Sequence, residues 1–171
     1  MLDKREIVIK DACVLFDLVD LGLLDYFFNL ELNAFTTAQV IGEITNEKQY
    51  EAIDTYLKNG KLKIDSNGIL DEITKINRNY AGLSLTDSSV LELAIRKEAI
   101  VYTSDGGLRK ATVKEGMEVR GILWIIEELF KMTLLSQEEA ISKLKAYESI
   151  NQRAPINEIK KLLIKIENYD S

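Results

Sequence analysis

SLTDSSVLELAIRKEAIVYTSDGGLRK, at residues 84–110, has the pattern of a helix, a buried strand and the start of a second helix in immediate succession. Ser84 can cap the first helix, and the apolar run at 99–103 is typical of a strand buried in a parallel sheet. Asp87 shares the apolar face of the first helix, and Asp105 follows the strand directly. Because α/β sheets place their sites beyond the carboxyl ends of their strands, we expect both carboxylates at one edge of a sheet.

The order of apolar strand, aspartate and helix occurs a second time near the N-terminus, where Asp11 follows the apolar run at 6–10. Strands that alternate with helices predict an α/β fold with a mainly parallel central sheet and helices on both faces. Further strands are expected near 34–37, 62–64 and 118–120. The expected helices cover residues 12–19, 23–30, 38–44, 50–57, 69–80, 108–115, 122–130, 136–150 and 156–166. Right-handed crossovers then bring Asp11 and Asp105 to the same edge.

Length and hydrophobic content favour a single domain over residues 1–171, with a core at about 6–130 and extra C-terminal helices at about 136–167. The C-terminal helices carry apolar stripes, so we expect them to pack on the domain or on a second copy of the chain. The stripes consist of Ile141, Leu144, Ile159, Leu162, Leu163 and Ile166. Trp124 and its apolar neighbours are expected in the core or in a subunit interface.

Composition excludes several classes of chemistry. The chain has no histidine, which rules out Ser-His-Asp and Cys-His catalysis and removes the usual zinc ligand. Its one cysteine, Cys13, cannot form an intramolecular disulfide and is expected in the core, so a reducing, cytoplasmic location fits best. No apolar run is long enough to span a bilayer, and the net charge of −6 argues against a broadly basic nucleic-acid surface.

Four carboxylates fall near the predicted strand ends or on the helices that follow them: Asp11, Glu43, Asp87 and Asp105. Gathered at one edge, they would repel one another unless a cation neutralised them. Hard divalent cations such as Mg²⁺ or Mn²⁺ prefer oxygen ligands and keep several waters, which can serve as nucleophiles in phosphodiester hydrolysis. The pattern therefore favours an all-oxygen metal site. Asp17 and Asp20 lie off the apolar face of their helix and are expected in solvent.

Four segments resemble the PIN-domain family, and most of all the VapC-type ribonuclease toxins of prokaryotic toxin–antitoxin systems: IVIKDACVL, TTAQVIGEI, SLTDSSVLELA and VYTSDGGLRKA. The resemblance covers roughly residues 6–130. It implies a PIN-like domain in which Asp11, Glu43, Asp87 and Asp105 hold a divalent metal ion and support cleavage of single-stranded RNA, with Thr103 as a supporting hydroxyl. A small antitoxin protein is the implied partner, and a homodimer is a further expected assembly. Cys13 departs from the family pattern, since the family often has Asn or Ser there.

Structural roles are open for the same residues. Asp105 could cap the following helix, Asp87 could be favoured by the dipole of its helix, and Glu43 could be a solvated helix residue. Arg109 and Lys110 could contact an RNA phosphate backbone or be exposed helix charges.

Three functions remain open from the sequence. The first is a metal-dependent endoribonuclease, a toxin neutralised by a small antitoxin. The second is an aspartate-based phosphotransfer or phosphatase domain. It would need a second Asp two residues after Asp11, where Cys13 stands, or a phospho-acceptor Asp in the middle of the chain with a downstream lysine, for which the sequence offers no convincing set. The third is a catalytically silent PIN-like interaction module, which the departure at Cys13 keeps open.

Overall fold

A parallel sheet is built from the short apolar runs of the sequence. The computed structural model describes residues 6–9, 11–30 and 32–169, and of residues 6–9, 11 and 12 it describes only the backbone. Within these ranges the strands are β1 (Glu6–Ile9), β2 (Asn33–Thr37), β3 (Leu62–Asp65), β4 (Ile100–Tyr102) and β5 (Val119–Arg120). They pair in parallel in the order β3-β2-β1-β4-β5. The expected α/β class with a parallel central sheet is confirmed.

Helices cover both faces of the sheet. They are α1 (Asp11–Asp20), α2 (Leu24–Phe28), α3 (Ala38–Gly42), α4 (Glu47–Lys58), α5 (Leu70–Asn79), α6 (Leu85–Lys97), α7 (Gly106–Lys114), α8 (Ile122–Lys131), α9 (Gln137–Ile150) and α10 (Ile156–Glu167). α4 begins earlier than expected, because the side chain of Asn46 caps it by accepting a hydrogen bond from the backbone N–H of Gln49. The helices in the described part of the chain are all too short or too polar to traverse a lipid bilayer.

Strand β4 shows how the sheet separates two cores. Ile100 and Tyr102 belong to the core that contains α1 and α8, whereas Val101 belongs to the core that contains α6 and α7. Successive side chains of a strand point to opposite faces, so one continuous apolar run is buried on both sides. All three residues are at most 4% exposed. This run therefore requires a layer of helices on each face.

The C-terminal helices pack on the domain, against α1 and α8, as their apolar stripes predicted. Leu144 of α9 and Ile159 and Ile166 of α10 are buried in the same core as α1 and α8. The Nε2 of Gln137 donates hydrogen bonds to the carbonyl oxygens of Ile166 and Glu167 at 2.7 and 3.2 Å. These bonds tie the start of α9 to the end of α10.

Two expectations for α1 are wrong. Cys13 is exposed rather than part of the core. Asp17, expected in solvent, is only 9% exposed, and its Oδ2 accepts a hydrogen bond from Nδ2 of Asn151 at 3.0 Å. This bond joins residues 134 positions apart, so the local pattern of α1 could not reveal that the end of α9 covers Asp17.

Candidate active site

The carboxyl ends of β1 and β4 lie side by side. Ile9 and Tyr102 are paired across these two strands, so the residues that follow each strand emerge at the same edge of the sheet. Asp11 is the first residue of α1, beyond β1, and its side chain lies outside the described residues. Asp105 lies beyond β4, at the start of α7. The backbone therefore brings Asp11 and Asp105 to one edge of the sheet, which we call the carboxyl edge because the strands end there.

Asp105 caps α7. Its Oδ1 accepts a hydrogen bond from the backbone N–H of Leu108 at 2.9 Å, which satisfies a donor at the start of the helix. Its own backbone N–H donates to Oγ1 of the buried Thr103 at 2.9 Å, so Thr103 fixes the chain between β4 and the carboxylate. The capping bond uses one carboxylate oxygen. Capping is therefore compatible with metal binding through the other oxygen.

Asp87 belongs to a capping box at the start of α6. Its Oδ2 accepts a hydrogen bond from the backbone N–H of Ser84 at 3.0 Å, and Oγ of Ser84 accepts one from the backbone N–H of Asp87 at 3.0 Å. Asp87 is 7% exposed, and Val90 and Leu91 on the same helix are fully buried. Asp87 therefore both caps α6 and lies on the packed face of that helix.

Two features of the structure place the start of α6 at the carboxyl edge. Oγ1 of Thr37, the last residue of β2, is 3.0 Å from Oγ of Ser89 in α6. On the other side, a Cβ atom built on Gly107 in α7 would lie 3.6 Å from Cδ2 of Leu83, just before α6. The starts of α6 and α7 are therefore neighbours, and their two aspartates belong to the same edge. Thr37 and Ser89 were not among the predicted site residues; the available signal was a threonine that ends a strand and caps the next helix.

Glu43 differs from the other candidate ligands because it is exposed. It is the C-cap residue of α3. In the described part of the chain, no three Cys, Asp or Glu side chains are close enough together to hold a metal ion. A metal centre at this edge would need a ligand besides Asp87 and Asp105, and Asp11, whose side chain lies outside the described residues, stays the predicted one. This donor set suits Mg²⁺ or Mn²⁺, because it consists of carboxylate oxygens and the chain contains no histidine.

A cluster of paired charges lies on one flank of the carboxyl edge. We call Asp65, Glu92 and Arg96 the β3-side cluster. Nη2 of Arg96 is 2.7 Å from Oδ1 of Asp65, and its Nε is 2.9 Å from Oε1 of Glu92. The cluster lines a cavity of about 280 Å³. Burial raises the pKa of Asp65, but hydrogen bonds from Arg96 and the backbone of Asn67, with the charges of Arg96 and Lys97, outweigh burial and hold this pKa below its usual value.

A larger cavity, of about 480 Å³, lies on the opposite flank, beyond β4 and β5. We call it the β5-side pocket, and its defining residues are Thr103, Arg109, Arg120, Trp124, Tyr147 and Arg153. Trp124, expected in the core or in an interface, is only partly buried and lines this cavity. Of the two residues considered for RNA contact, Arg109 lines the pocket, whereas Lys110 is exposed outside it.

The chain is similar to known proteins in sequence and, in one case, in fold. A family model described as PIN domain matches residues 7–168. A curated relative, Endoribonuclease Nob1 from Methanocaldococcus jannaschii, is 37% identical over 93 residues, which are 52% of this chain and 45% of the relative. The chain thus spans less than half the length of that relative. A solved structure, PAE2754 from Pyrobaculum aerophilum, has a TM-score of 0.54 at 18% identity, over 77% of this chain and 98% of that chain. At that identity the likeness shows the fold alone.

Proposed function

The chain belongs to the PIN-domain family, and from this premise we propose that it is a metal-dependent endoribonuclease that cleaves phosphodiester bonds of single-stranded RNA. One observation supports the proposal: α1, α6 and α7 begin with or near Asp11, Asp87 and Asp105, and the starts of α6 and α7 are neighbours beyond the strand ends. The relative that is named as an endoribonuclease supports the same reaction class.

The carboxylates would act together as ligands of the metal ion. Asp11, Asp87 and Asp105 would bind Mg²⁺ or Mn²⁺, with Glu43 at the rim of the site. When bound, the metal supplies a water nucleophile and stabilises charge on the phosphoryl oxygens. Asp87 and Asp105 are oriented before any ligand binds, because each accepts a hydrogen bond from the backbone at the start of its own helix. Thr103 accepts the backbone N–H of Asp105 and so keeps this carboxylate in place.

We further propose that the enzyme is the toxin of a toxin–antitoxin pair, acts in the cytoplasm and is inhibited by a small antitoxin protein. The support is the likeness of SLTDSSVLELA and VYTSDGGLRKA to the VapC-type proteins. Expression of the chain alone should stop the growth of a prokaryotic host, whereas expression of Asp105→Asn should not. Normal growth in the presence of an active enzyme would contradict the toxin role and leave the ribonuclease proposal intact. Formation of a homodimer stays a prediction.

A catalytically silent PIN-like module is the second candidate. It is favoured by the hydrogen bonds of Asp87 and Asp105, which by themselves explain why both residues stand at the starts of helices. The two candidates differ in their dependence on metal and on carboxylate charge.

Cleavage of single-stranded RNA separates the two candidates. We expect cleavage in Mg²⁺ or Mn²⁺ and none after chelation, and Asp105→Asn should lower the rate by at least roughly a hundredfold. Asn caps a helix about as well as Asp, so this variant removes the charge without removing the cap. Asp20→Asn is the matched control, because Asp20 is exposed at the far end of α1. Equal rates for the two variants would refute the assigned site.

Metal binding should also be measurable without RNA. A ligand that binds only the folded state stabilises it by about 2.7 kcal/mol at a hundredfold excess over Kd. Mg²⁺ or Mn²⁺ should therefore raise the melting temperature of the wild type. Asp87→Asn should weaken that rise and leave the metal-free protein at least as stable, since repulsion between carboxylates is relieved. Identical melting curves with and without millimolar metal would favour the silent module.

A further inference from the structure

We propose that the β5-side pocket is a subsite for a nucleotide of the RNA next to the cleaved bond, with arginines that bind its phosphate and an aromatic wall beside its base. The proposal rests on the ribonuclease function and assigns recognition to residues outside the carboxyl edge. Thr103 and Ser104, which lead from β4 to Asp105, line the pocket. An RNA strand that reaches Asp105 therefore has the pocket directly beside it.

The pocket concentrates positive charge in an acidic protein. Three of the six arginines of the chain line it, although the net charge of the chain is −6. The planar guanidinium group binds phosphate through two parallel hydrogen bonds and stacks on bases, which suits arginine to nucleotides better than lysine. One exposed carboxylate, that of Glu158, also lines the cavity. Positive charge in a concave site favours an anionic ligand.

Arg109 is held in place by neutral groups. Its Nη1 donates to the carbonyl oxygen of Thr103 at 2.9 Å and to that of Arg120 at 3.3 Å, so it bridges the ends of β4 and β5. Among the residues that the structure describes, it forms no ion pair with a carboxylate. The hydrogen bonds therefore fix the position of Arg109 without neutralising its charge, so the guanidinium group can bind an anion.

In the wall of the pocket, the guanidinium group of Arg120 lies over the ring of Trp124. The guanidinium carbon of Arg120 lies 3.9 Å from the centroid of the Trp124 ring, and its Nε is 2.6 Å from Oε1 of Glu118. Trp124 also meets Tyr102 edge to face, with ring centroids 5.7 Å apart. These contacts hold the indole in one orientation. Flat π-surfaces bind bases with little preference for sequence, so this wall suits a base of single-stranded RNA.

Arg153 contributes the third positive charge from the turn between α9 and α10. Its backbone N–H donates to Oδ1 of Asn151 at 2.9 Å, which fixes the turn. Its side chain is exposed, and within the described ranges the guanidinium has no hydrogen-bond or ion-pair partner. Beside it, burial raises the pKa of Tyr147 to about 12, so this wall of the pocket carries a neutral phenol near neutral pH. Arg153 is therefore available to a phosphate group.

Fluorescence of Trp124 tests the proposal, because it is the only tryptophan in the chain. The full chain with Asp105→Asn, which should slow cleavage at least roughly a hundredfold, is titrated with an unlabelled oligouridylate. We expect a saturable change in Trp124 emission. In the same background, Arg153→Ala should weaken binding roughly tenfold. The slope of log binding constant against log salt concentration should also become less steep by about 0.7, which is the value for one phosphate contact on a single strand.

Lys61→Ala is the matched control. It also removes one positive charge, but beside β3, the outer strand on the other side of the sheet from β5. Lys61 is exposed just before β3, where it donates to Oδ1 of Asn29. Absence of binding, equal affinities for Arg153→Ala and Lys61→Ala, or binding without a change in Trp124 emission would overturn the subsite. None of these results decides the proposed function, which fails if the wild type shows no metal-dependent cleavage.

Discussion

The two flanks of the carboxyl edge both contain arginines, but the fold uses them differently. In the β3-side cluster, Arg96 forms ion pairs with two buried carboxylates, Asp65 and Glu92. In the β5-side pocket, Arg109 donates to neutral carbonyls, and Arg153 has no side-chain partner in the described part of the chain. A charge that is paired inside the fold is needed for stability, whereas an unpaired charge beside a site can bind a ligand. The same substitution should therefore affect folding on one flank and RNA affinity on the other.

Arg96→Ala should have the largest effect on folding. It removes the ion-pair partner of Glu92 and the nearer of two cationic partners of Asp65, and these carboxylates are only 5% and 7% exposed, so the free energy of unfolding should fall by about 3 kcal/mol. The exposed Arg153 offers the matched change, and Arg153→Ala should alter this free energy by less than about 0.5 kcal/mol. Urea denaturation followed by circular dichroism measures both values. Equal losses would remove the distinction between the two flanks.

Asp65→Asn tests the β3-side cluster through pH. The folded-state pKa of Asp65 is lowered, since its hydrogen bonds and the nearby positive charges outweigh the effect of burial. The carboxylate therefore stabilises the fold above the unfolded-state pKa of about 3.9, and this contribution is lost as pH falls through the folded-state value. The variant should lose about 1.5 kcal/mol at neutral pH and progressively less below about pH 4. Unfolding measured from about pH 3 to about pH 7 gives the difference. A difference that does not change with pH would contradict the assignment.

Arg120→Ala should have the smallest effect of the three. Arg120 lies over Trp124 and pairs with Glu118, whose side chain is 41% exposed, and contacts of these two kinds contribute only about 0.5–1 kcal/mol. Removal of the guanidinium exposes one face of the indole to water, so Trp124 emission should shift to longer wavelength. Denaturation and emission spectra of the variant measure both effects. A loss as large as that of Arg96→Ala would mean that the β5-side arginines are structural as well.

The carboxyl edge was predictable because its parts are encoded locally. The order of strand, aspartate and helix at Asp11 and at Asp105 depends on a few consecutive residues, and the parallel sheet then fixes the shared edge. Asp87 was located by the apolar face of its own helix. The side chain of Asp11 lies outside the described residues, and Glu43 is exposed, so their roles as ligands stay predictions.

The flanks were not predictable because they depend on contacts between distant parts of the chain. Asp65 and Arg96 are 31 positions apart, and Asp17 and Asn151 are 134 positions apart. The role of Arg153 depends on the packing of α9 and α10 beside β5, which no pattern near Arg153 reveals. Glu92 and Arg96 are one helical turn apart, but only tertiary packing brings Asp65 to Arg96.

The connection between α6 and β4 has a consequence for how the chain folds. Glu98, just after α6, has a φ of 51°, in the left-handed region, and β4 begins two residues later at Ile100. One contiguous segment therefore delivers Asp87 and Asp105, whereas Asp11 comes from far earlier in the chain. Segments of low contact order form faster than pairings that close long loops. We expect the Asp87–Asp105 half of the edge to assemble first, so that docking of β1 is the folding step that completes the site.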